Sequence, residues 1–168
     1  EYICSKRIPT HPLKYLSTNG SEVVEKVLIV DDEQQVLKAL ERVTRKMPYE
    51  IEFCSDPMEV LDRVINGYTM DVIISDYRMP ELDGVTLIEA VKKKCPDCVP
   101  IIMSGNADLH GLQRAINQIG IFRFVDKPWD NDDFIEVINQ AVDHVQRSIV
   151  KEHMAQKGIE GSLEEGSL

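Results

Sequence analysis

Val27-Leu28-Ile29-Val30-Asp31-Asp32-Glu33 is an unbroken apolar run that stops on three acids. Continuous rather than alternating hydrophobicity suits a strand buried on both faces, as in a parallel sheet. Val72-Ile73-Ile74 and Val99-Pro100-Ile101-Ile102-Met103 have the same character, and Ile121-Phe122-Arg123-Phe124-Val125 supplies a fifth run. Glu50-Ile51-Glu52-Phe53 alternates instead, which suits an edge strand. Between the runs the period becomes helical. Val36, Leu37, Leu40, Val43 and Met47 share one face of a first helix. Phe134, Val137, Ile138, Ala141, Val142 and Val145 do the same in the last. Asp130 is a natural N-cap for that last helix, with Asp133 three residues on, and Asp56-Pro57 opens the second helix with proline at its first position. Shorter periodic stretches follow Gly84 and Asp108. Strand and helix thus alternate five times, which predicts an α/β fold: a parallel sheet wrapped by helices, with right-handed crossovers.

The chain has 168 residues, 43% hydrophobic and 29% charged, enough for one domain with a buried core. No apolar run reaches the length of about 18 residues that a membrane span needs. Residues 1–25 lack the apolar stretch of a secretory signal, so a cytoplasmic protein without a membrane partner is expected. The formal net charge is −10, most of it between residues 26 and 150. Such a domain is repelled by phosphate backbones and is not expected to bind nucleic acid directly. The four cysteines (Cys4, Cys54, Cys95, Cys98) are too few and too scattered for a disulfide framework. Cys95-Pro-Asp-Cys98 has metal-pair spacing, but no second pair completes four ligands, so it is read as a loop between helix and strand. Residues 1–25 are an irregular extension or linker, 26–148 the domain, and 149–168 a continuation of the last helix and, from about Lys157, a flexible Gly/Ser/Glu tail.

In such sheets ligands sit at the carboxyl ends of the strands. Here those ends carry Asp31-Asp32, Ser75-Asp76, Ser104-Gly105 and Asp126-Lys127-Pro128. An acid after a strand is commonly just the cap of the next helix. Three carboxylates converging from adjacent strands, however, repel one another unless a cation or protons neutralise them. Ligands that are all oxygen favour a hard cation, Mg²⁺ most naturally, which keeps waters and suits a phosphate partner. A lysine and a hydroxyl opposite would complement a bound anion. A carboxylate nucleophile, a metal and a positioned lysine make a site for phosphoryl transfer onto an aspartate.

At this point the sequence resembles a known family. The stretches 27–33, Ile73 to Gly84 (Ile-Ile-Ser-Asp-Tyr-Arg-Met-Pro-Glu-Leu-Asp-Gly), Met103-Ser-Gly105 and Phe124-Val-Asp-Lys-Pro128 look like the receiver domain of two-component response regulators, over roughly residues 26–148. The resemblance implies a doubly wound, flavodoxin-like five-stranded sheet in the order 2-1-3-4-5 with helices on both faces. It implies Asp76 as phosphoacceptor, and Asp32, Asp76 and the Arg78 backbone carbonyl as Mg²⁺ ligands, with Asp31 helping through water. Lys127 would pair with the acceptor carboxylate, Ser104 would bind a phosphoryl oxygen, and Phe124 would take the aromatic switch position. The bond before Pro128 is one the family usually holds cis. The donor would be the phosphohistidine of a sensor histidine kinase or phosphotransfer protein. The signal would leave by the surface of the fourth helix (the stretch after Asp108), fifth strand and last helix, toward an output domain, a partner protein or a second copy of the chain. Beyond self-phosphotransfer and autodephosphorylation no enzyme activity is expected.

Phe124 replaces the commoner tyrosine and Ser104 the commoner threonine. The first loses a hydroxyl and the second a methyl, and neither removes the chemistry. Two rivals are a receiver-like interaction module that is never phosphorylated and an aspartyl-phosphate phosphatase. The complete set Asp31, Asp32, Asp76, Ser104 and Lys127 counts against the first. Arg78 counts against the second, because it stands where such a phosphatase wants another aspartate. No GxxxxGK[ST] occurs, which excludes a P-loop NTPase.

Overall fold

The computed structural model describes residues 24–105 and 119–164. The stretch after Asp108, most of the N-terminal extension with Cys4, and residues 165–168 lie outside the described residues. In chain order the elements are β1 (Lys26–Val30), α1 (Gln34–Thr44), β2 (Glu50–Cys54), α2 (Pro57–Ile65), β3 (Val72–Asp76), α3 (Gly84–Lys94), β4 (Val99–Ser104), β5 (Arg123–Asp126) and α4 (Asn131–Glu164). All strands pair in parallel, in the order β2-β1-β3-β4-β5. The chain therefore turns outward one way from β1 to β2 and the other way from β1 to β3. That reversal opens a crevice above the carboxyl ends of β1 and β3.

The unbroken apolar runs are explained by helices on both faces. Val27, Ile29, Ile74 and Ile101 point to one side, where Leu37 and Leu40 of α1 and Phe134, Ile138 and Val142 of α4 cover them. Leu28, Val30, Ile73 and Ile102 point to the other, beneath Val60 of α2 and Leu87, Ile88 and Val91 of α3. Every second residue of β1 or β3 would face water if one layer were missing, at about 1.5–3 kcal/mol for each large aliphatic side chain.

The local signals act where the sequence puts them. The Asp56 carboxylate accepts from the Met58 amide at 2.8 Å, with Pro57 in the first turn of α2. Asp130 accepts from the amides of Asp132 and Asp133 at 2.8 and 3.1 Å and starts α4. Lys92, Lys93 and Lys94 close α3, whose carbonyl end favours cations.

Three details differ from the expectation. β5 begins at Arg123, two residues later than the apolar run, because Phe122 joins the sheet through one bond to Pro100 and then turns to pack on His144 (ring centroids 5.3 Å apart). β2 is an edge strand as its alternation suggests, yet Glu52 is buried rather than solvated, held by Arg63 of α2 at 2.7 Å. Finally, α4 stays helical to Glu164 instead of giving way to a flexible tail at Lys157. An established helix extends one hydrogen bond at a time and tolerates two glycines at a cost of about 1 kcal/mol each.

Candidate functional site

The site is assembled by where strands stop. β1 ends at Val30, and the next residue, Asp31, is fully buried. Its amide donates to the Cys54 carbonyl at 3.2 Å, and its carboxylate accepts from the Glu33 amide at 2.9 Å, so the backbone fixes its direction. β3 ends on Asp76, which is buried beside it. Lys127 follows β5. Its amide donates to the Ser104 carbonyl at 2.8 Å, tying the lysine to the end of β4, and the Lys127–Pro128 peptide is cis. From there the ammonium reaches back across the strand ends, 2.7 Å from Asp31 Oδ2 and 2.8 Å from Asp76 Oδ1.

Asp31, Asp32 and Asp76 each offer a carboxylate oxygen within 4.8 Å of the others. Burial raises the pKa of Asp31 above the ordinary carboxylate range, against the opposing pull of Lys127. Burial also raises that of Asp76, and the Asp31 charge adds to it while Lys127 again opposes. For Lys127, burial works against the charge, but its two carboxylate partners outweigh it and hold the ammonium above its usual range. The site thus sets three acids against one cation and is short of positive charge. An oxygen-only donor set in a pocket of net negative charge fits a small hard divalent cation. Among the described residues no other trio of His, Cys, Asp or Glu is so placed.

The remaining expected residues fall around this centre. Ser104 is buried at the end of β4, one residue past Met103, which stands beside Asp76 in register. Phe124 lies on β5 opposite Ile102, half-buried against the α2–α3 side of the sheet. Arg78 sits in the loop two residues after Asp76, its side chain exposed. Cys95 and Cys98 flank the turn between α3 and β4, at the far end of β4 from Ser104, and both are free and buried.

Gly84, which the sequence marks only as the end of the motif from Ile73 and the start of a periodic stretch, is a residue of consequence. Its amide donates to the Tyr77 carbonyl at 2.9 Å, which draws the start of α3 onto the loop after Asp76. A β-carbon there would lie 2.1 Å from the Asp76 carbonyl oxygen, so only glycine lets the helix approach this closely. Its one signal was the Asp83-Gly84 pair, where Asp83 caps α3 by accepting from the Thr86 amide at 2.8 Å.

Known proteins resemble this chain in sequence and fold. The profile of the response regulator receiver domain matches residues 27–139. The hydrogenase transcriptional regulatory protein HoxA of Bradyrhizobium diazoefficiens is 32% identical over 116 residues, 69% of this chain and 24% of that protein. The DNA-binding transcriptional regulator NtrC of Klebsiella pneumoniae is 34% identical over 118 residues, 70% of this chain and 25% of its own length. The chain therefore spans about a quarter of the curated relatives it matches. Among solved structures, the signal receiver domain of an HD domain-containing protein from Pseudomonas fluorescens Pf-5 superposes with a TM-score of 0.69 at 28% identity, covering 74% of this chain and 99% of that one. With the strand order and the acidic crevice already in hand, these matches establish that the chain belongs to the response regulator receiver domain family of two-component systems.

Proposed function

We propose that the chain is a phosphorylation-operated signalling receiver in which Asp76 is the phosphoacceptor. The observation that carries this reading is the bridge from Lys127 to Asp31 and Asp76 beside an acidic trio at the strand ends. An Asp76 carboxylate oxygen forms the new bond to phosphorus as the phosphorus–nitrogen bond of a phosphohistidine donor breaks, and that electron pair returns to the imidazole. Lys127, already 2.8 Å from Asp76, takes up charge that builds on the transferred oxygens. Asp32, Asp76 and the Arg78 carbonyl would hold Mg²⁺, with Asp31 helping through water, and the ion would supply positive charge between the two anionic groups. Beyond this self-modification and its reversal the chain performs no turnover chemistry.

The product adds about two negative charges and three acceptor oxygens beside Asp31 and Asp32. Ser104, buried at the end of the neighbouring strand, moves its hydroxyl toward the new oxygens, and half-buried Phe124 packs into the space released. β5 and α4 then present a changed surface to an output domain or partner protein. Buried free thiols at Cys54, Cys95 and Cys98 accord with a reducing cytoplasm, where the donor kinase acts.

Intact-mass analysis after treatment with acetyl phosphate and Mg²⁺ tests the reading. One adduct is expected on the natural chain, none on Asp76→Asn, and none when the metal is chelated. A chain that takes no adduct with metal present is an interaction module instead, and steady turnover of external phosphoesters would make it a phosphatase.

A further inference from the structure

The outer edge of β5 and the first turns of α4 enclose a groove of about 580 Å³. Half-buried Phe124, Trp129 and Val137 give it an apolar lining. Trp129 is braced from behind by Phe134, their ring centroids 6.1 Å apart, which leaves the rest of the indole toward the groove. Exposed carboxylates of Asp126, Asp133 and Glu136 form the rim. Asp130 also lies there, but its carboxylate is engaged by the amides that open α4, and one oxygen of Glu136 accepts from Gln140 Nε2 at 3.0 Å while the other stays open. No cation among the described residues pairs with Asp126, Asp133 or Glu136.

We propose that this groove docks a cationic segment of a partner protein, with arginine over Trp129 and apolar side chains against Val137. A guanidinium offers a planar cation to an aromatic face and paired donors to the carboxylates at the same time, which suits a lining of rings within an acidic rim. A second copy of the chain is the wrong occupant. In a two-fold interface the acidic rim would meet itself, and like charges brought together cost rather than gain. The inference rests on the preceding reading of β5 as the output edge, and it names the chemistry of what that edge meets.

Trp129 is the only tryptophan of the chain and reports on the groove directly. The full chain is titrated with a synthetic arginine–leucine peptide and with its glutamate–leucine counterpart, following indole emission. The basic peptide is expected to change the emission saturably and the acidic one not to. Asp126→Asn/Glu136→Gln should weaken the basic peptide about fivefold, since rim charges act modestly one by one. Glu59→Gln/Glu89→Gln removes two exposed charges from α2 and α3, on the opposite face, and should leave affinity unchanged. Equal weakening by both pairs would reduce the binding to general attraction by an acidic protein and overturn the proposal. Sedimentation showing a dimer that the Asp126/Glu136 pair alters would overturn it in favour of a second copy. Because these titrations use the unmodified chain and the Asp76 adduct is read separately by mass, loss of one result leaves the other standing.

Discussion

Asp31, Asp76 and Lys127 show how charged residues can be buried together at the expense of the fold. Burial and the neighbouring Asp31 charge disfavour ionised Asp76, and one ammonium answers two acids. Asp76→Asn keeps an oxygen for Lys127 and removes a charge, so in metal-free buffer near neutral pH it should stabilise the chain by about 1 kcal/mol, read as a higher melting temperature. Because its pKa is raised in the folded state, Asp76 binds its proton at higher pH than the unfolded chain does. The stability tied to Asp76 therefore increases as pH falls from the raised value toward the ordinary value of 3.8, and it is lost as pH rises through the raised value. The gap between natural chain and Asp76→Asn should close on acidification, which thermal melts across that window would check. These groups are legible in the sequence because the apolar run before each gives way to a charged residue within two positions. Gly84 was not legible in the same way: its role is the absence of a side chain, and an absence carries no chemical type.

At the scale of the element, α3 shows a general preference overruled by one contact. Alanine usually favours a helix over glycine by about 1 kcal/mol. At Gly84 the added carbon would meet the Asp76 carbonyl oxygen 2.1 Å away, so the sign reverses. Gly84→Ala is expected to lose at least about 2 kcal/mol in urea unfolding and to slow adduct formation at Asp76, since either the helix or the loop must give way. Strands β1, β3 and β4 could be read because burial on both faces leaves no polar positions. β2 was read correctly as an edge but not in its burial, since alternation records chemical type and cannot show that Arg63 comes down from α2 to neutralise Glu52. The start of β5 was misplaced for a related reason: Phe122 is apolar to pack on a helix, not to extend a ladder.

For the whole molecule, two helical layers close over one sheet and bury reactive groups as well as apolar ones. Burial pushes the thiols of Cys54 and Cys98 up to about 11 and about 12. Neither should alkylate in the native chain at about pH 8, and both should in denaturant, because the thiolate is the nucleophile; peptide mapping after iodoacetamide would resolve the two sites. The strand order was less accessible to periodicity than the strands themselves. Crossover handedness limits the topologies but does not choose among them, so 2-1-3-4-5 came from the resemblance and the structure bears it out.

The C-terminal helix sets off from the residues that follow Lys127 and remains helical for 34 residues. At the usual rise it is a rod about 50 Å long, and among the described residues those packed on the sheet, Phe134 to Val145, lie in its first half. A tilt of about 5° where the packed half ends would carry the last turn through about 2 Å, so a small adjustment of the helix on the sheet is enlarged along its length.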